Sequence, residues 1–582
     1  MFKTLGYLRR KDWTMVAIAV ALIVFQVWLD LKLPEYMGEL TMIIQQGGTP
    51  ADVIDKGKFM MLCAFGSLGS AIVVGFLAAK VGASLSQRMR SLLYNKVDSF
   101  SMGEINKFST ASLITRSTND VTQVQLVVTL GLMIIIKAPI LAVWALTKIY
   151  NKGFEWSLAT GVAVIVMISL FAVLFFFVIP KFKKMQTLTD NINRAARENL
   201  TGLPVVRAYN AEGYQQDKFE KANEELTDTH LFVSRAMALL MPFISLIMNC
   251  LLLSIYWIGA ILIDGAASIP GKQQLFADMI VFSSYSMQVL MAFMMITMLF
   301  IMLPRAQVSA KRINEVIDTE PSVKDGDISD AGTSMKGVVE FKNVSFKYPG
   351  AADYVLHNVS FRAEHGETVA FIGSTGSGKS TLIDLVPRFY DVTEGEILMD
   401  GTDVRRYTLN ALHDKIGYVP QKAVLFSGSV TSNVAFGREA DEKEVIDAVR
   451  IAQGTDFVEK MDNRYNAEIS RGGANISGGQ KQRLAIARAV CKRPEVYIFD
   501  DSFSALDYKT DRSLRTALKK ETEGATSLIV AQRIGTIMDA DKIIVLNEGE
   551  IVGTGTHRDL LRTCDVYREI AMSQLSEEEL AI

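Results

Sequence analysis

Eight consecutive residues, Gly373-Ser374-Thr375-Gly376-Ser377-Gly378-Lys379-Ser380, carry the spacing GxxxxGK[ST]. Glycines at these points let backbone N–H groups converge on a phosphate at the start of a helix. The flanks suit that reading, with strand-like Thr368–Ile372 before the loop and helix-like Thr381–Phe389 after it. Lys379 is then placed to reach the β- and γ-phosphates of a nucleotide, and the Ser380 hydroxyl to bind Mg2+. Downstream, Val496-Tyr497-Ile498-Phe499-Asp500 is an apolar strand ending in an acid, the pattern that supplies an Mg2+-associated carboxylate. Many buried strands end in Asp, so its order and distance after the Gly-rich loop give this one its weight.

These motifs lie in the C-terminal part of a 582-residue chain that is 49% hydrophobic yet still 21% charged. Two unlike halves account for both figures. The first part holds six apolar runs of about the 20 residues a bilayer requires: Thr14–Leu33, Phe59–Ala79, Val127–Thr147, Trp156–Ile179, Met237–Ile263 and Leu275–Leu303. A fully soluble enzyme, a disordered chain and a disulfide scaffold are excluded. The net charge of −2 offers no basic excess for nucleic acid. Cys63, Cys250, Cys491 and Cys564 show no metal spacing and read as buried free thiols.

Connections after the first, third and fifth runs are short, whereas those around 80–126 and 180–236 are long. The long ones are rich in cations: Lys80, Arg88, Arg90, Lys96, Lys107 and Arg116, then Lys181, Lys183, Lys184, Arg194, Arg197 and Arg207. The positive-inside rule puts them, and with them both termini, in the cytoplasm. Helical periodicity persists over 82–100 and 183–200, so the spans are expected to continue as helices beyond the membrane. Polar turns near Ile105–Leu113 and Ala208–Tyr214 would join them. The basic, amphipathic segment Met1–Trp13 reads as an interfacial helix. Residues 1–318 are thus expected to form a membrane domain, 319–336 a linker broken at Glu320-Pro321, and 337–582 a soluble α/β domain opening on the strand Val338–Val344.

Between loop and acid lies Ile476-Ser477-Gly478-Gly479-Gln480-Lys481-Gln482-Arg483. With this the chain, over essentially its whole length, resembles an ABC transporter of the exporter type (the type IV fold). That resemblance implies a membrane α-helical domain of six long transmembrane helices followed by an α/β P-loop nucleotide-binding domain, with ATP and Mg2+ as cofactors. Ser-Gly-Gly-Gln resembles the family signature. There Ser477, Gly478, Gly479 and Gln480 would act in trans on the γ-phosphate of ATP held by the other nucleotide domain. Tyr348 resembles the aromatic that stacks on adenine, and Gln421 the glutamine that contacts Mg2+ and the membrane helices. Ser504-Ala505-Leu506-Asp507 resembles the loop linking the two sites. The nucleotide set is completed by Gly373 to Ser380 with Thr381, and the Mg2+ set is Ser380, Gln421 and Asp500.

Two positions depart from the family pattern. Where the family usually has the Glu that polarises attacking water, this chain has Asp501, one methylene shorter. Where it has a switch His, the chain has Gln532, which hydrogen-bonds but cannot become cationic. Arg471 also stands where exporters often carry Glu before the signature. This combination resembles the degenerate half of heterodimeric bacterial multidrug exporters. It implies a partner half-transporter with the consensus Glu and His, and hydrolysis mainly at the site completed by Ser477 and Gly479. A homodimer using Asp501 as base is the simpler alternative.

The last span is rich in methionine (Met287, Met291, Met294, Met295, Met298, Met302, with Phe293 and Phe300), and Met237, Met241 and Met248 mark the fifth. Such flexible, polarizable side chains suit a polyspecific cavity. Asp30 could attract cationic compounds, pair with Lys32 or sit in the headgroups; Lys137, before Ala138-Pro139, could line a hydrated cavity or satisfy carbonyls freed by the proline. The reading is ATP-dependent efflux of amphipathic, hydrophobic or cationic drug-like compounds by alternating access. A lipid or glycolipid flippase, or a non-hydrolysing ATP-binding regulatory subunit, are the alternatives. The absence of an acid-poor presequence favours a bacterial plasma membrane over an organelle.

Overall fold

The computed structural model describes residues 2–150, 153–330, 332, 335–521 and 523–575. The side chains of Lys183, Met298 and Phe300 lie outside the described set. The chain divides into two compact units, Met1–Lys96 with Ala111–Asp318, and Val97–Thr110 with Thr319–Ile582.

The first unit is built of six helices long and apolar enough to cross a membrane: Arg10–Gln45, Pro50–Asp98, Thr110–Tyr150, Phe154–Thr201, Glu212–Asp264 and Ile269–Asp318. At 1.5 Å per residue the second is about 70 Å long, more than twice a hydrocarbon core of about 30 Å. The long cation-rich connections are therefore helix continuations, as their periodicity implied. The third helix packs chiefly on the sixth and the fourth on the fifth, while the first lies against the third and sixth. Buried polar groups pin these contacts. Trp156 Nε1 donates to the Ile255 carbonyl at 3.1 Å, and Tyr285 Oη to the Leu31 carbonyl at 3.0 Å. A single π-helical turn, Arg116–Asp120, interrupts the third helix. It turns Arg116 to the Arg312 carbonyl (2.6 Å) and Glu315 (2.8 Å), and Asp120 to Ser309 (2.9 Å).

Two expectations need correction. The N-terminal segment is not one amphipathic helix: Phe2–Leu5 forms a single turn and the spanning helix starts at Arg10. The break follows Gly6, and the Asp12 carboxylate, accepting from the Arg9 N–H at 2.8 Å, sets the new start. Lys3 pairs with Asp318 (2.6 Å) and Tyr7 donates to Asn314 (2.9 Å), tying the segment to the end of the sixth helix. Cys250 is exposed on its helix while the other three cysteines are buried; all four are free thiols.

The second unit holds two larger sheets. One is antiparallel, in the order Leu356–Ala363, Val339–Phe346, Glu394–Met399, Thr402–Asp403. The other runs Glu550–Gly555, Lys542–Asn547, Thr368–Gly373, Thr526–Val530, Val496–Asp500, Ile416–Val419. Its pairings are parallel except for the Glu550–Gly555 edge. Buried on both faces, its inner strands read as continuous apolar runs such as Val369-Ala370-Phe371-Ile372. Parallel strands place all their C-terminal ends on one side, where open α/β sheets bind ligands.

Candidate active site

Four neighbouring parallel strands deliver four pieces of chemistry to that side. Thr368–Gly373 leads into the Gly-rich loop, Val496–Asp500 ends on Asp500 and continues to Asp501, Thr526–Val530 leads to Gln532, and Ile416–Val419 leads to Gln421. The loop turns through left-handed backbone at Gly376 (φ 87°) and Gly378 (φ 93°), and the helix Lys379–Asp384 starts directly after it. That helix begins two residues earlier than the sequence suggested and ends at Asp384. A Cβ on Gly378 would stand 2.8 Å from Leu356 Cδ2 and 3.1 Å from the Val355 carbonyl oxygen, so only glycine fits. Lys379 Nζ donates to the Gly373 and Ser374 carbonyls at 2.9 and 2.7 Å and to Ser377 Oγ at 3.3 Å. Burial pushes the Lys379 ammonium below its usual range, against the pull of Asp501 and Asp500. An anion in the loop would favour its charged form.

Ser380 Oγ donates to Asp500 Oδ1 at 2.9 Å, so the two residues expected to hold Mg2+ meet. Burial pushes the Asp500 carboxyl above the usual aspartate range; the Ser380 hydrogen bond opposes this, Asp501 adds to it and Lys379 opposes it. A cation at this point would reverse the shift. A hydroxyl, a carboxylate and an amide carbonyl are hard oxygen ligands that suit Mg2+ with the rest of its shell supplied by water and phosphate. The donor set fits the ion.

Asp501 is buried, in left-handed backbone at φ 43°, with its N–H bonded to the Val530 carbonyl at 3.0 Å. Its Oδ2 accepts from Gln532 Nε2 at 2.9 Å and from Gln421 Nε2 at 3.3 Å. The two unusual positions, Asp501 and Gln532, are therefore direct partners. A general base needs an oxygen free to reach the proton of water at about 3 Å. Here one oxygen is occupied by two amides on a stem already short.

The signature lies at the start of the helix Gly478–Lys492. Ser477 caps it: its Oγ accepts from the Gln480 N–H at 3.3 Å, and Gln480 Oε1 accepts from the Ser477 N–H at 2.9 Å. A Cβ at Gly479 would lie 3.3 Å from the Ala505 carbonyl, so this glycine lets the helix start pack against the Ser504–Asp507 loop; Gly478 faces open space. Arg471 opens a short 3-10 turn ahead of the signature. Tyr348 stands beside the phosphate-loop helix, its hydroxyl 2.8 Å from Thr381 Oγ1.

Three contributors carried no motif. Tyr390 packs edge-on to Tyr348 at 5.3 Å and accepts from Asn106 Nδ2 at 3.1 Å. Asn106 lies in the short helix Met102–Phe108 within the first polar turn, in the same compact unit as the nucleotide motifs. The same turn anchors the chain at Ser322, whose N–H donates to Glu104 at 3.2 Å. The second polar turn, with helix Leu203–Ala208, belongs to the other unit. Gln574 fastens the switch segment, donating to the Gln532 carbonyl and accepting from the Ile534 N–H, each at 2.8 Å. Asp384 accepts from Tyr418 Oη at 2.9 Å, and burial pushes its carboxyl up to about 6, against that hydrogen bond and with the help of Asp500.

Comparison with known proteins covers both parts of the chain. Residues 16–302 match the ABC transporter transmembrane region and residues 356–504 the ABC transporter family. An uncharacterised ABC transporter ATP-binding protein of Mycobacterium tuberculosis is 38% identical over 96% of this chain and 96% of its own. An ATP-dependent lipid A-core flippase of Pseudomonas fluorescens is 32% identical over 88% of this chain and 84% of its own. The solved structure of a bacterial Atm1-family ABC exporter with ATP bound matches with a TM-score of 0.79 at 26% identity, covering 97% of this chain and 98% of that one. Likeness of this extent, over spans and nucleotide motifs alike, makes the protein a member of the ABC transporters: an exporter-type half-transporter with six membrane helices and one ATPase domain on a single chain.

Proposed function

We propose that the protein is one half of a heterodimeric, ATP-driven exporter of amphipathic compounds, and that the ATP site on its own phosphate loop is the impaired one of two. The observation that carries this reading is the Asp501–Gln532 contact at 2.9 Å, which, with Gln421, engages one of the two oxygens of the carboxylate that stands where the family's base stands. Lys379 and the loop amides hold the phosphates, Ser380, Asp500 and Gln421 hold Mg2+, and Tyr348 with Thr381 borders the base. Ser477 and Gly479 close on the partner's ATP, where most hydrolysis occurs. The membrane part is 1–318, the linker 319–336 and the nucleotide domain 337–582, in a bacterial plasma membrane with both termini cytoplasmic. The second helix supports assembly with another chain: it has the least buried apolar stretch of the six. Phe65, Leu68, Ile72 and Phe76 are exposed along it. Export is tested in inside-out vesicles: ATP should drive inward movement of an amphipathic dye, and Lys379→Ala should reduce it. ATP-independent movement would overturn the reading.

Lipid movement is a second reading, favoured by the relatives named lipid A-core flippases. It requires ATP-driven transfer of a lipid between leaflets and no transfer of dye.

A further inference from the structure

The membrane unit contains a cavity of about 350 Å3 between the first, second, third and sixth helices. Its polar corner is the Asp30–Lys137 ion pair, at 3.1 Å, with each side chain about a fifth exposed. Both carboxylate oxygens of Asp30 are engaged: Oδ2 by Lys137, Oδ1 by the Ser67 hydroxyl at 2.5 Å. Lys32, the other candidate partner of Asp30, pairs with Glu35 instead. A cation entering this corner would find no bare carboxylate. Lys137 still has ammonium protons beyond the one given to Asp30.

Pro34 lacks the N–H that would bond the Asp30 carbonyl four residues earlier. Gln288 Nε2 donates to that carbonyl at 3.3 Å. This fixes the orientation of the Gln288 amide, and its Oε1 is buried with no hydrogen-bond partner among the described residues. The corner therefore holds a donor, Lys137, and a covered, unsatisfied acceptor, Gln288 Oε1, with no net charge. The walls are soft and apolar: Met37, Met60, Met291 and Met295.

From this combination we infer that the cavity is a binding site for amphipaths with an uncharged, hydrogen-bonding head, such as a hydroxylated or glycosyl head on an alkyl chain. A head hydroxyl accepts from Lys137 and, once the flexible methionine walls shift to uncover it, donates to Gln288 Oε1, while the chain lies among the methionines. Monocations without donors are excluded by the same geometry. The assignment rests on the export reading for its role in transport, but its binding chemistry can be measured separately.

The test uses the full-length protein with its companion chain in lipid nanodiscs and tritiated decyl glucoside below its micellar concentration. Decyl glucoside should bind saturably, and decyltrimethylammonium at equal concentration should not displace it. Gln288→Met should weaken binding about tenfold, one hydrogen bond to a buried acceptor. Met291→Trp, which fills the cavity from a partly exposed position without touching the polar corner, should abolish it. Gel filtration confirms that each variant is folded. Equal affinity in wild type and both variants, absence of saturable binding, or displacement by decyltrimethylammonium would overturn the site. ATP-driven uptake of decyl glucoside into inside-out vesicles reads the pump independently. Binding with the expected variant pattern but no uptake sinks the export reading and leaves the site; uptake with unchanged variant binding does the reverse.

Discussion

Replacing Asp501 by Glu together with Gln532→His should awaken the ATP site on this chain. Asp501 Oδ2 is held at 2.9 Å by Gln532 and 3.3 Å by Gln421. The added methylene carries the carboxylate about 1.5 Å further from the backbone, toward the space a water must occupy. Histidine removes one of the two amide donors and supplies a group that can carry charge. Well-placed general bases contribute about 10²- to 10⁴-fold, and a site not otherwise evolved for it should recover at most the bottom of that range. The expected gain is about 10- to 100-fold in turnover at this site, or about 1.4 to 2.7 kcal/mol of barrier. A cost accompanies it: backbone at φ 43° suits Asp better than Glu, and the variant should lose about 1 kcal/mol of stability. Vanadate trapping of a photoreactive ATP analogue reads each chain of the pair separately by labelling. Asp501→Glu alone should give a smaller rise, since Gln532 still competes for the carboxylate. Labelling of this chain that does not increase in the double variant would refute the argument that stem length and amide capture limit the site.

Ser477→Ala should remove most ATPase activity of the assembled pair while leaving ATP binding to this chain intact, and should cost the signature helix about 1 kcal/mol of capping; full activity would contradict action in trans. Gly378→Ala, with its Cβ 2.8 Å from Leu356 and φ at 93°, should weaken nucleotide binding at least about tenfold by equilibrium titration; unaltered affinity would contradict the need for glycine there. Asp384 is held near 6 against 3.8 for an ordinary aspartate. Its native state therefore keeps a proton the unfolded chain has released, so its contribution is full below about pH 4 and is lost as pH rises through 6. Asp384→Asn should flatten that loss and raise stability at pH 7 by up to about 3 kcal/mol. Apparent Tm measured from pH 4 to 8 checks it, and an unchanged pH dependence would contradict it.

The six spans, the helix continuations and the order of the chemical motifs were legible because each has a local signature: apolar length, a 3.6-residue period, or glycines at fixed spacing. Pairings across sequence were not. Nothing local announces that Gln532 reaches Asp501, that Gln574 fastens the switch segment, or that Asn106 reaches Tyr390, because each joins residues that only the sheet order or a returning segment brings together. The partner of Asp30 was hidden for the same reason. Proximity in sequence pointed to Lys32, but Lys137 comes from the parallel third helix beside the first. The N-terminal helix was overdrawn because its periodicity runs on through Gly6, while the cap at Arg9 and Asp12 that restarts the helix depends on a turn that periodicity does not register.

In the proposed pair this half-transporter lends its signature to a competent site while its own loop holds ATP beside a carboxylate engaged by two amides. Affinity purification of the chain from its native membrane in mild detergent, with intact-mass identification of what accompanies it, tests this most directly. A second half-transporter should appear in equal amount, carrying Glu and His at the positions that correspond to Asp501 and Gln532. Recovery of this chain alone, as a dimer that hydrolyses ATP, would contradict it and assign turnover to Asp501 and Gln532 themselves.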